Sequence, residues 1–319
     1  MIRVLFSLSL VMTFYSLSAQ EVSFLKHTEL GNIHWFRNYD YALAKANEEN
    51  KPLLIFFQEV PGCSTCRNYG EDVLTHPHIV EAIESHFVPL CVFNNKGGKD
   101  KEVLNLYNEP TWNNPVVRVV NGAGKNIVDR LNGNYSSAGL VQTINTAITE
   151  SGNIVPPYLV LLEKELLADK EEVFLSMYCF WTGEKEISAI PGVIGTQAGF
   201  MNGKEVVKVD YDINKTNTKK IRKAAAKKSC GDDLYTSNTG YRMDSESKYY
   251  LQHSALKHVP MTALQATQVN RALALKEDAL MSLSPRQLDM YTLITTEKEK
   301  TFSNYIEKDF IQSWYEATK

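Results

Sequence analysis

Between Trp35 and Ile148 the chain switches repeatedly between two hydrophobic periods. YALAKANEEN at 41–50 spaces its apolar residues as a helix does. PLLIFFQEV at 52–60 is instead a continuous apolar run, the pattern of a strand buried on both faces. NYGEDVLTHPHIVEAIESH at 68–86 reads as a broken helix, and FVPLCVFN at 87–94 as a strand. NPVVRVVN at 114–121 and NIVDRLNG at 126–133 read as strands around a turn at 121–124, and SSAGLVQTINTAI at 136–148 as a closing helix. Alternation of this kind predicts an α/β layer with helices on both faces of a sheet.

A second pattern starts after SGNIVPPYLV. EEVFLSMY (171–178) is strand-like, CFWTGEKEISAI begins a helix, PGVIGTQAGFMNG and KEVVKVDYD are two strands, and a helix runs on to Cys230. The order β-α-β-β-α predicts an α+β sandwich of helices on a largely antiparallel sheet. From about Tyr241 the chain is helical: Thr262 and Gln265 stand at capping-box spacing, and Ser284 followed by Pro285 marks another helix start. Leu264, Val269, Ala272 and Leu273 predict docking of this extension against the second domain. The resulting division is 1–20 signal peptide, 21–150 first domain, 151–170 linker, 171–240 second domain and 241–319 helical extension.

The leader assignment rests on Arg3, an apolar run from Val4 to about Leu17, and small residues at Ser18 and Ala19. It predicts export to a periplasmic or extracellular space, with no membrane span in the mature chain. The formal charge is −3, and losing Arg3 with the leader makes it −4, which argues against general nucleic-acid binding. The basic stretch Lys215–Lys228 reads as the solvated face of a helix. Five cysteines are an odd number, so at least one thiol stays unpaired within the monomer. Cys91, inside an apolar strand, is the candidate for a buried and inert thiol.

Cys63 and Cys66 follow a strand and open a helix, where unpaired amides and the positive end of the helix dipole stabilise a thiolate. A structural disulfide or half of a metal site is the blander alternative for such a pair. Over about residues 30–150 the chain resembles the thioredoxin superfamily, on the strand, Cys63-Ser64-Thr65-Cys66 and WNNPVVRVV. The resemblance implies a thioredoxin-like fold, a redox dithiol, and Pro115 as the family's cis-proline beside it. It departs from the family in lacking a Trp before Cys63 and in carrying Ser-Thr between the cysteines.

Cys179 falls at a second strand-to-helix junction, directly before Phe180 and Trp181. A sulfur nucleophile beside aromatic walls suits methionine sulfoxide, although a core strand whose side chains only fill space gives the same pattern. Over about 171–235 the chain resembles peptide methionine sulfoxide reductases of the A type, on CFW, PGVIGTQAGFMNG and KEVVKVDYD. That resemblance implies Cys179 as nucleophile, Phe180 and Trp181 as holders of the methyl group, Phe200 as a substrate-binding residue, and Glu205 as proton donor. A carboxyl beside aromatic rings is expected to have its pKa raised by desolvation.

Cys230, next to Lys227 and Lys228, is the expected resolving thiol, with Asp232, Asp233 and Tyr235 as nearby polar groups. Tyr178 replaces the family's glycine, Phe200 its tyrosine, and MNGK its long loop. The expected cycle reduces oxidised methionine in proteins or peptides at Cys179 and Cys230, with Cys63 and Cys66 recycling the enzyme from an external thiol or disulfide donor. It requires no cofactor and no metal. A thiol–disulfide oxidoreductase with a second domain that only binds, and a non-enzymatic peptide binder, are the rivals.

Overall fold

The computed structural model describes residues 27–228, 233–297 and 299–319. The leader assignment at 1–20 and the Cys230 assignment lie outside the described residues.

The first sheet is built from β1 (Leu53–Gln58), β2 (Val88–Phe93), β3 (Val116–Val120) and β4 (Leu131–Asn132), in the order β2-β1-β3-β4. β1 runs parallel to β2 and antiparallel to β3, and β4 closes the edge antiparallel to β3. Every residue of β1 is buried because helices cover both faces. Leu54 and Phe56 pack into a core with α3 (Pro77–His86) and α5 (Ser137–Glu150). Leu53, Ile55 and Phe57 pack into another with α1 (Tyr39–Glu48) and α4 (Lys99–Leu106). Each fully buried Leu, Ile or Phe here contributes roughly 1.5–3 kcal/mol. Between β1 and α3, helix α2 (Ser64–Asn68) continues into a π-helical turn at Tyr69–Val73.

Two local expectations change. The strand expected over 126–133 narrows to Leu131–Asn132 plus an isolated bridge between Asn126 and Val120, because the chain leaves the sheet edge between them. The stretch read as a linker holds helix α6 (Pro157–Leu167), which packs on α5 and buries Tyr158, Leu159 and Leu162 in the first core. Pro156 and Pro157 look like linker punctuation in sequence, but Pro157 sits at a helix start, where a missing amide costs nothing.

The second sheet has the order β8-β5-β7-β6-β9 and is antiparallel throughout. Its strands are β5 (Lys170–Ser176), β6 (Val193–Met201), β7 (Lys204–Asp212), β8 (Leu234–Tyr235) and β9 (Arg242–Met243). Helix α7 (Phe180–Ile187) lies between β5 and β6, and α8 (Thr218–Lys227) follows β7. Val173, Leu175, Val207 and Val209 bury one face of the sheet against these two helices. In α8, Ile221 and Ala225 are buried while the lysines face outward, so the basic stretch is a solvated helix face.

The helical region comprises α9 (Tyr249–Gln252), α10 (Ala263–Leu275), α11 (Pro285–Thr296) and α12 (Phe310–Ala317). Thr262 caps α10, and Ser284 with Gln287 forms a complete capping box on α11. Val269, Ala272 and Leu273 join a core belonging to this region itself. The region packs on β6 and α7, as expected, and on the first unit as well. Phe310 and Trp314 of α12 close over His78, the Arg286 amide donates to Glu81 Oε1 at 2.7 Å, and Tyr315 donates to the Thr75 carbonyl. No helix among the described residues is long and apolar enough to cross a membrane.

Candidate functional site

Cys63 is the N-cap of α2, with extended backbone (φ −68°, ψ 179°) that turns its thiol toward the free amides of the first helical turn. The Cys66 amide is the main group pulling the Cys63 thiol below its ordinary pKa, assisted by the Cys66 thiol and by Thr65. Cys63 is exposed and Cys66 is buried, with their sulfurs 3.5 Å apart. Burial, with Cys63 beside it, pushes the Cys66 thiol up to about 12. One sulfur is thus accessible and easily ionised, and the other holds its proton. Cys91 is fully buried and also pushed up to about 12 by burial, as an inert thiol should be.

The loop carrying the pair is held by groups distant in sequence. Gly62 is required there: a Cβ would lie 2.4 Å from the Glu59 carbonyl oxygen and 2.6 Å from Cys66 Cβ. The Gly62 amide donates to Glu29 Oε1 at 2.8 Å, and Gln58 Nε2 donates to the carbonyls of Glu29 and Cys66. Asn95 accepts from the Val60 amide and donates to the Pro61 carbonyl. The Asn114–Pro115 peptide is cis, and Cys66 Sγ donates to Asn114 Oδ1 at 2.7 Å. Glu29, Gln58 and Asn114 were not singled out from the sequence. Asn114 alone carried a signal, its position next to Pro115. Glu59 offers a carboxylate oxygen that, with Cys63 and Cys66 Sγ, forms a group of donor atoms all within 4.8 Å of one another.

Cys179 is likewise an N-cap, of α7, and is exposed. Glu205 is brought beside it by the β6–β7 hairpin, whose two-residue turn at Asn202 and Gly203 has positive φ at both positions (51° and 75°). That turn sets Phe200 opposite Glu205 across the ladder. Glu205 Oε2 accepts the Phe180 amide at 2.9 Å, so the carboxylate serves as a cap on the helix that Cys179 begins.

The Phe180 ring meets Phe200 edge-on at 5.2 Å and is buried in the second core rather than lining an open wall. Trp181 stacks on Tyr249 of α9 at 4.1 Å, and Arg242 lies over the Phe200 ring at 4.9 Å. The structure therefore brings Cys179, Phe180, Trp181, Phe200 and Glu205 together. Asp233 pairs with Lys204 at 2.6 Å, with the Tyr235 hydroxyl 3.5 Å away.

Behind Cys179, α7 is anchored by a group that sequence reading missed. Buried Glu184 accepts the Ala198 and Lys248 amides at 3.1 and 2.9 Å, and burial pushes its carboxyl up to about 7. Buried Lys248 pairs with Glu307 at 2.7 Å and donates to the Thr196 carbonyl. Glu184 stands beside Lys185 and Glu186, which are only partly buried and pair with each other, and nothing in the local pattern distinguishes it from Glu186.

Residues 34–122 match a family described as thioredoxin-like. No curated protein matches the chain. A solved structure described as a DsbH oxidoreductase aligns at 19% identity and a TM-score of 0.33, covering 38% of this chain and 88% of that one, a likeness too slight to carry an argument. The methionine sulfoxide reductase likeness of about 171–235 therefore rests on its sequence motifs alone, whereas residues 34–122 form a thioredoxin-like domain.

Proposed function

We propose that this protein is an exported thiol–disulfide oxidoreductase acting through Cys63 and Cys66. The observation that carries the reading is the asymmetric pair: an exposed thiol with lowered pKa, 3.5 Å from a buried thiol with raised pKa. Cys63 thiolate attacks one sulfur of a substrate disulfide, releasing one thiol and leaving a mixed disulfide. Cys66 then gives up its proton and attacks Cys63 Sγ, releasing the second substrate thiol and closing the Cys63–Cys66 disulfide. Two electrons pass to the substrate, and an external dithiol donor restores the pair. Export rests on the N-terminal leader pattern.

The test is reduction of a protein disulfide by the pre-reduced chain, with Cys66→Ser used to trap the mixed disulfide. A Cys63-linked adduct supports the reading, and equal turnover by Cys63→Ser overturns it.

A second reading gives the Cys179 region methionine-(S)-sulfoxide reductase activity. It is favoured by an exposed N-cap thiol next to a carboxylate, with Phe200 facing that carboxylate. Cys179 would attack the sulfoxide sulfur while Glu205 passes a proton to its oxygen; that oxygen would then move to Cys179 as the bond between the two sulfurs breaks, releasing the thioether and leaving a sulfenic acid for a second thiol to resolve. Single-turnover reduction of each sulfoxide epimer, beside Cys179→Ser, decides it. Loss of S-epimer turnover in the variant supports the reading, and no turnover by the parent chain removes it.

A further inference from the structure

Glu59 has no part in the exchange chemistry, yet its carboxylate reaches the dithiol. The loop fixes its backbone: the Glu59 amide donates to Gln58 Oε1 at 3.2 Å, and the Glu59 carbonyl closes against Gly62. One oxygen of its half-buried side chain, Cys63 Sγ and Cys66 Sγ all lie within 4.8 Å of one another. It is the one group of three such donor residues found among the described residues.

The spacing suits a specific class of ion. Two zinc–thiolate bonds of about 2.3 Å whose sulfurs are 3.5 Å apart subtend about 100° at the metal, close to tetrahedral. A carboxylate oxygen at about 2.0 Å from the same centre falls well inside the observed donor spread. Two sulfurs and one oxygen suit a borderline cation and do not suit magnesium or calcium, which take oxygen ligands throughout. The exposure of Cys63 leaves a fourth position open to water.

We propose that the reduced site binds a zinc-class divalent cation through Cys63, Cys66 and Glu59, and that the bound ion withholds Cys63 from disulfide exchange. The inference rests on the reading of the pair as a dithiol and adds its regulation. Binding displaces the thiol protons, up to two per cation, and transfers no electron. Oxidation to the disulfide removes both sulfur donors and leaves a lone carboxylate, so the ion is held only in the reduced state. The chain thus responds to metal and to oxidant at one place, each excluding the other.

The experiment titrates the fully reduced chain with Zn2+ against a chromophoric chelator, and with Cd2+ followed by its thiolate charge-transfer band. The parent chain, its oxidised form, Glu59→Gln, Glu59→Asp and Cys66→Ser are compared. The expected result is one ion per chain, no binding after oxidation, affinity at least tenfold lower in Glu59→Gln, and partial recovery in Glu59→Asp. Equal affinity in Glu59→Gln, or binding retained by Cys66→Ser, overturns the proposal, because the ion then sits on the dithiol alone or on other thiols. Disulfide reduction measured separately in excess chelator isolates the two readings. Activity there without metal binding removes only the metal site and its control of exchange, and metal binding without activity removes the exchange reaction and that control while the metal site stands.

Discussion

Cys63 and Cys179 occupy the same local position, the N-cap of a helix that follows a strand, and both are exposed. They differ in what stands behind them. Cys63 has a second sulfur one turn away at 3.5 Å, which makes a two-electron couple without any further element. Cys179 has instead a carboxylate on its own helix amide, an aromatic cluster, and a helix held from behind by buried Glu184. A helix start gives a cysteine access to amides, but the groups one turn on decide which chemistry is open to it.

The strongest way to break this contrast is Cys63→Ser, for which we expect loss of protein-disulfide reduction by about a thousandfold or more, since removing a nucleophile removes the path itself. The assay is reduction of a test disulfide by the pre-reduced chain. If the loss appears in Cys179→Ser and not in Cys63→Ser, the roles assigned to the two helix starts are reversed.

The contrast also runs to how each helix start is supported. Lys248→Met removes the ammonium that pairs with Glu307 and leaves that carboxylate only its bonds from Gln197 and Ser247, a change expected to cost about 1–3 kcal/mol. Urea unfolding measures the loss. Alkylation in native buffer localises it: Cys179 is expected to react faster in the variant, while Cys63 keeps its rate. An equal change at both thiols would mean that the extension couples the two sites.

Much of this frame was legible in the sequence because it is local. The buried run of β1, the helix starts at Cys63 and Cys179, and the caps at Thr262 and Ser284 each follow from a short pattern with a short-range cause. Helix α6 was not, because its apolar face has meaning only against α5. The docking of α12 on the first unit was not, because Phe310 and His78 are separated by more than 200 residues of chain. Of the second site, the sequence brought forward the groups that touch one another, yet it could not show that Phe180 points into the core or that Tyr249 covers Trp181.

Acid should pull the two supports in opposite directions. His76 and His78, under Phe310 and Trp314, are pushed down to about 4 and about 3 by burial. They are bound neutral, so their contribution is complete above their unfolded value near 6.5 and is lost as the pH falls below it, by up to about 1.4 kcal/mol per pH unit for each ring. Glu184, pushed up to about 7, is bound protonated, so its contribution is complete below about 4.5 and is lost as the pH rises toward 7. Relative to the parent chain, His78→Phe should gain stability between pH 7 and 5, and Glu184→Gln should lose it. Urea midpoints at the two pH values give both signs, and a common sign would show that one of these groups is solvated.

The smallest effect tests the finest part of the contrast, the proton on Cys66. Asn114 Oδ1 accepts that proton at 2.7 Å in a site where water has little access, and it comes from the loop that carries the cis Pro115 bond. An acceptor of this kind holds the thiol form and fixes its direction, so removing it frees the sulfur to turn and leaves Cys63 Sγ, 3.5 Å away, as the other partner of its proton. The net worth of such a bond is about 1 kcal/mol, which corresponds to roughly fivefold in a rate or equilibrium that depends on it. In Asn114→Ala the first step, attack by Cys63, should change less than the second, because the main group lowering the Cys63 pKa is the Cys66 amide and not a group of this loop. The second step, release of the mixed disulfide by Cys66, should change severalfold. Stopped-flow reduction under single turnover, with both released thiols followed separately, resolves the two. A change confined to the first step would place the influence of Asn114 on Cys63 and would make the two sulfurs less distinct than their burial indicates.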